Sequence, residues 1–146
     1  MSPSESTVVP AERIIDYITT TFDGVDVVTA KEATFFSLDP VRHFPSIATI
    51  VTTDDHDQAS DLSRPGVYRL NIGLDRTTFR RLFPTDAKVE HDFSALDRLM
   101  PHPVYGAQNW VCVLNPGEAI FENVVKPLLD EAYALEKARA KRRKGG

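Results

Sequence analysis

The sequence predicts an α+β domain: an antiparallel sheet of about five strands with helices packed on one face, in the order α-β-β-β-β-α-α-β-α. Three observations predict it. Four β-rich runs, at 25–30, 34–38, 47–52 and 67–73, follow one another with no helical pattern between them, and strands joined in that way pair as antiparallel hairpins. Helical periodicity precedes these runs and closes the chain. The composition, 42% hydrophobic and 26% charged over 146 residues, is that of one globular domain. A chain this long buries about 70% of its unfolded surface, enough to fold without a metal or disulfide staple.

Residues 1–9 read as a flexible N-terminus, residues 10–136 as the single domain and 137–146 as a basic C-terminal tail. Pro10 suits a first helical turn, and Ile14, Ile15, Ile18 and Phe22 recur at helical spacing until Gly24. The four strands are separated by Lys31-Glu32, by the proline-bounded segment 39–45 and by an acidic stretch that ends at Arg64-Pro65-Gly66. On the fourth strand Tyr68, Leu70 and Ile72 share the side assigned to the core, which leaves Arg69 and Asn71 facing outward on a sheet face expected to be open. Asp75 can cap a helix that Pro84 ends, and Ser94 to Asp97 has the spacing of a capping box for a second short helix. Residues 101–108 form a stiff loop with prolines at 101 and 103, followed by a last strand at 109–114. Asn115-Pro116-Gly117-Glu118 then reads as N-cap, N1 and N3 of a final helix burying Ile120, Phe121, Val124, Leu128, Leu129 and Tyr133, with Pro127 as a potential kink.

The net charge of −4 is unevenly spread. Residues 1–136 carry eleven basic residues against all 21 acidic ones, a net −10, while the ten residues that follow carry six basic ones and no acid. A body of that sign repels phosphate backbones, so nucleic acid is an unlikely partner except through the tail, whose alternative reading is a solvated helix end. One cysteine, Cys112, allows no intramolecular disulfide, and a cytoplasmic location is expected. The start of the chain lacks a signal-peptide pattern, and no run of about 20 apolar residues suggests a membrane.

The order of elements, RLNI at 69–72 before a helix, and Trp110 on the last strand before a long helix together resemble the MmcQ/YjbR family, over roughly residues 10 to 140. The runs DLSRPGVYRLNIG at 61–73, LMPHPVY at 99–105 and NWVCVLNP at 109–116 resemble an uncharacterised actinobacterial branch of such proteins. The resemblance implies a CyaY/frataxin-like fold and, by analogy of fold, an association with DNA. The family typically carries a lysine on the strand that matches 69–73 and basic residues before its tryptophan; here Asn71, Ala107, Gln108 and Asn109 stand in those places, which weakens the DNA reading. It implies no catalytic residue.

Asp54, His56 and Asp57, with Asp61 nearby, offer oxygen donors and one imidazole suited to a divalent cation, yet they lack an EF-hand frame and read equally as a solvated acidic loop; no metal or other cofactor is expected. A metal-assisted hydrolase would add His91 or His102 to that set. His102, stiffened by its flanking prolines, suits a preorganised ligand contact or a structural imidazole bonding a neighbouring carbonyl. No nucleophile elbow, phosphate loop, paired CxxC or HExxH is present, and Cys112 between two valines reads as a small buried hydrophobe. The sequence therefore favours a non-enzymatic module binding a small molecule or protein partner through the open sheet face and the 101–108 loop. Arg69 would supply a fork for a carboxylate or phosphate, Asn71 and His102 would orient it, and Tyr105 and Trp110 would form an apolar wall. The oligomeric state is not legible.

Overall fold

Strand alternation and strand order together build the molecule around one sheet. The computed structural model describes residues 8–30, 33–38, 47–54, 58–84 and 91–145. Helix α1 (Ala11–Thr21) leads into β1 (Asp26–Ala30), β2 (Ala33–Ser37), β3 (Ala48–Val51) and β4 (Arg69–Gly73). Then come α2 (Arg76–Leu82), β5 (Met100–Pro101), a 3-10 turn at Gly106–Gln108 and β6 (Trp110–Leu114). The chain closes on α3 (Glu118–Ile120), a π turn (Phe121–Val125) and α4 (Lys126–Gly145). All strand pairs are antiparallel and the order is β1-β2-β3-β4-β6-β5, so the fold is α+β as the succession of hairpins requires.

The register divides the side chains into two faces. Ile50, Leu70 and Val113 form one cross-strand row and Ala48, Ile72 and Val111 the next; both pack on Ile14 and Ile18 of α1 and on Phe121, Val125, Leu128 and Leu129. The opposite face carries a row that crosses all six strands, Val28, Phe35, Thr49, Asn71, Cys112 and Met100, beside a second row of Ala33, Val51, Arg69 and Leu114. That face is not open at its centre. Leu62, Val67 and Phe93, from the segments that flank the strands, lie over Val51, Met100, Cys112 and Leu114 and leave all of β3, β4 and β6 buried. Burying two apolar clusters on one small sheet is what a chain with two strand faces to hide must do.

Four sequence expectations give way to local chemistry. A sixth strand, β5, occupies the start of the expected loop: Pro101 tolerates an edge position because it has no N–H to give a further neighbour. The helix expected from Ser94 does not form. Its Asp97 turns left-handed (φ 57°) and accepts a hydrogen bond from Gly117 N (2.7 Å), while Leu96 makes an isolated bridge to Leu114. Asn115 is not the N-cap of the last helix, which is Gly117; it too is left-handed (φ 42°) and uses its side chain to accept from Tyr68 N and donate to Gly66 O. At the other end of the chain Val9 is fully buried, bonds Pro116 O through its N–H and receives the Tyr68 hydroxyl on its carbonyl, so the ordered unit starts before residue 10.

Pro127 sits two residues after the π turn. An interior proline cannot donate to the carbonyl four residues back and crowds it, and a wider turn at that point relieves both problems. The wider turn also brings Val125 fully into the core, one residue beyond the expected Val124, which is only partly buried.

Candidate functional site

Arg69 and Asn71 do share the face opposite the helices, but both are buried rather than presented to solvent. Arg69 Nε donates to Asn71 Oδ1 (3.0 Å), Arg69 Nη1 donates to Ser60 Oγ (3.0 Å), and Asn71 Nδ2 donates to Thr49 Oγ1 (2.8 Å). With Arg69 1% exposed and Ser60 0%, this polar ladder ties the 58–67 segment to the middle of the sheet. A guanidinium is always charged, so its burial demands such partners.

His102 lies at the far end of the same strand pair. Arg69 pairs with Leu114, whereas the backbone N–H of His102 bonds Trp110 O at the other end of β6, roughly 13 Å along the strand. The two do not converge on one pocket. The buried His102 ring accepts at Nδ1 from Val104 N (3.0 Å) and from Tyr105 N (2.9 Å). An imidazole nitrogen accepting two N–H groups carries no proton, so the neutral ring holds its hydrogen on Nε2. These acceptor bonds replace the expected bond to a carbonyl. The His102 carbonyl accepts from Gly106 N, and Tyr105 O accepts from Gln108 N and Trp110 N, so one imidazole fixes the turn from both sides.

Trp110, 9% exposed, alternates with Cys112 and Leu114, which belong to the covered face. Its cross-strand partner Gly73 lies in line with Asn71 and Arg69, so Trp110 shares their face but is buried there. Of the five residues predicted to bind a ligand, Tyr105, at 47% exposed, is the one left in solvent, with Val104 beside it.

That turn faces α2. Asp75 caps α2 by accepting from Thr78 N (2.8 Å), and that bond, with help from Arg81 and Arg139, holds the carboxyl below its ordinary range. Glu131 of α4 accepts from Thr78 Oγ1 and Arg81 Nη2, fixing the rotation of α2. The stripe Arg76, Phe79, Arg80 and Phe83, spaced as one helix face, then borders a groove of about 470 Å³ completed by Gly106, Ala107 and Asn109. Asn109 is left-handed (φ 71°), and its carbonyl accepts from Leu74 N just ahead of the cap. Arg76 and Arg80 are exposed and make no ion pair among the described residues. The sequence signal was present: three arginines and no acid in the seven residues of α2, on a body of net −10.

A larger groove of about 780 Å³ lies between the start of α1 and the 62–68 loop, but its Arg64, Asp54 and Tyr68 side chains are already engaged. Arg64 donates to Asp61 O, Ser60 O and Ser94 O; Asp54 Oδ1 accepts from Leu62 N (2.7 Å); and the Tyr68 hydroxyl, pushed upward in pKa chiefly by burial, donates to Val9 O. Of the metal candidates, Asp54 thus serves as a loop staple, while His56 and Asp57 lie outside the described residues. The His91 ring packs against Phe83 and Phe93, with centroids 6.2 and 5.8 Å away. Among the described residues no three His, Cys, Asp or Glu side chains gather as metal ligands. The basic tail continues α4 as helix, with Lys141 and Arg142 exposed, and no described helix is long and apolar enough to cross a membrane.

Residues 9–145 match the family described as "Family of unknown function (DUF6194)". No curated protein and no solved structure matches the chain.

Proposed function

The chain belongs to the DUF6194 family, a family of unknown function, and from that premise we propose that it is a non-enzymatic binding module whose recognition surface is the groove between α2 and the 102–109 turn. One observation carries the reading: a polar, concave site where Arg76, Arg80 and Asn109 stand beside two phenylalanines, on elements locked from behind by Asp75, Glu131 and His102. Preorganised polar groups around a small apolar wall are what ligand sites consist of. Of the residues expected to bind, Tyr105 is exposed in the turn just before Gly106, His102 and Trp110 support that turn, and Arg69 and Asn71 belong to the ladder that closes the other half of the sheet. Fragment screening followed by amide NMR tests the proposal. Hits should cluster on residues 76–83 and 105–109 and vanish in Ala107→Trp, which fills the groove from an exposed position. Hits confined to the groove beside Arg64 and Tyr68 would refute it.

A second reading, association with DNA through the tail, is supported by the exposed Lys141 and Arg142 on the end of α4. Such binding would be weak, indifferent to sequence and steeply salt-dependent, and deleting 137–146 would abolish it. Sequence-specific binding that survives the deletion at about 150 mM salt contradicts the tail as its origin.

A further inference from the structure

We infer that the groove between α2 and the 102–109 turn recognises an oxyanion, a phosphate or carboxylate, carried on a flat ring, a ligand class that rests on the binding reading above. The charge argument comes first. Arg76 and Arg80 are one helical turn apart on the same face, where like charges repel and destabilise the helix. Arg81, their neighbour, is neutralised by Glu131 at 3.0 Å, whereas neither groove arginine has a carboxylate among the described residues. Arg80 gains something from the last turn of α2, whose dipole favours a cation, but Arg76 is in the first turn, where the same dipole opposes it. An anion held between the two removes both penalties, and paired guanidinium forks match the planar geometry of carboxylate and phosphate oxygens.

The walls give the second half of the ligand. Phe79 and Phe83 stand with ring centroids 5.3 Å apart on the same stripe as the arginines, both only partly buried. Across from them Gly106 and Ala107 present almost no side chain, leaving an open slot beside the phenylalanines in which a ring could stack. Asn109 adds an amide that can donate to an oxygen and accept from a ring substituent, and its left-handed backbone is fixed by Asn109 N to Gly106 O (3.0 Å) and Leu74 N to Asn109 O (3.2 Å). A small inorganic anion would satisfy the arginines and leave this slot unused.

Amide NMR titration of the full chain with phenyl phosphate, benzoate, inorganic phosphate and phenol tests the inference. Phenyl phosphate or benzoate should shift the amides of residues 76–83 and 106–109, and the better of the two identifies the headgroup. Inorganic phosphate should bind at least tenfold more weakly. Arg76→Ala and Arg80→Ala should each weaken binding about tenfold, Arg98→Ala, at an exposed arginine outside the groove, should leave it unchanged, and Phe79→Leu should reduce phenyl phosphate to the level of inorganic phosphate. Circular dichroism of each variant verifies the fold. Phenol binding as well as phenyl phosphate, with no effect of the arginine variants, would overturn the anion while leaving a groove binder. Failure of all four probes to shift these amides would overturn the inference, and the fragment screen then decides the binding reading separately.

Discussion

Gly73 and Trp110 are cross-strand partners on β4 and β6, and the indole occupies the space where a side chain at 73 would begin: a Cβ there would lie 2.8 Å from Trp110 Cζ2 and 2.9 Å from Cε2. The backbone at Gly73 has no left-handed φ, so the requirement for glycine is purely one of contact. Gly73→Ala should displace the indole, red-shift its fluorescence and destabilise the fold by about 1–3 kcal/mol. Trp110→Ala, which opens a cavity on the covered face, should cost about 3–5 kcal/mol in denaturant unfolding. A loss under about 1 kcal/mol for Trp110→Ala would remove it from the core.

The ladder from Thr49 through Asn71 and Arg69 to Ser60 should behave as one unit. Arg69→Ala strands Asn71 Oδ1 and Ser60 Oγ in the interior and should cost about 2–4 kcal/mol; Arg69→Lys keeps the charge but not the fork and should fall between. Coupling shows in a double-mutant cycle with Ser60→Ala, which should deviate from additivity by more than about 0.5 kcal/mol. Additive losses would show that the two segments are held independently.

His102 should be found as the Nε2–H tautomer by its ring nitrogen and carbon shifts, since Nδ1 accepts from Val104 N and Tyr105 N. His102→Ala leaves both N–H groups unpaired and should cost about 1–3 kcal/mol; His102→Asn, whose amide oxygen can replace Nδ1, should recover most of it. An Nδ1–H ring would disprove this arrangement.

Tyr68 makes an alkaline prediction. Burial raises its hydroxyl pKa in the folded protein above the unfolded value of about 10, so the neutral hydroxyl contributes stability in full below that pH and loses it as pH rises beyond. Tyr68→Phe leaves Val9 O without its donor and should be less stable by about 1 kcal/mol at neutral pH, then gain on the wild type above about pH 10. A constant difference from pH 7 to 11 would sink the assignment.

The strand pattern put Tyr68, Leu70 and Ile72 on one face and Arg69 and Asn71 on the other, and both placements hold because alternation is a property of the backbone alone. Whether the second face meets water depends on where residues 58–67 and 91–100 travel, and nothing local records that. Polar residues are also ambiguous signals: Asp97 and Asn115 carry capping letters at capping spacing, yet both spend their side chains on distant backbone groups, Gly117 N and Tyr68 N. β5 leaves no pattern because a two-residue strand that ends on a proline has too little sequence to alternate. At the candidate site the arginines of α2 were legible as a charge anomaly, but the opposing turn becomes a wall only through the hydrogen bonds of His102.

The π turn at Phe121–Val125 holds one residue more than the α-helical turn it replaces, so the helix before it and the helix after it are out of phase by about 100°. Length at this point is therefore a variable the chain has already spent once. Removing a single exposed residue, Asn123, would restore a uniform helix with Leu128, Leu129 and Ala132 still facing the sheet, and the obstacle to it is Pro127, which would be pushed back into a regular turn. Sequences of this fold that lack a proline at the position of Pro127 are the ones expected to tolerate that one-residue gap.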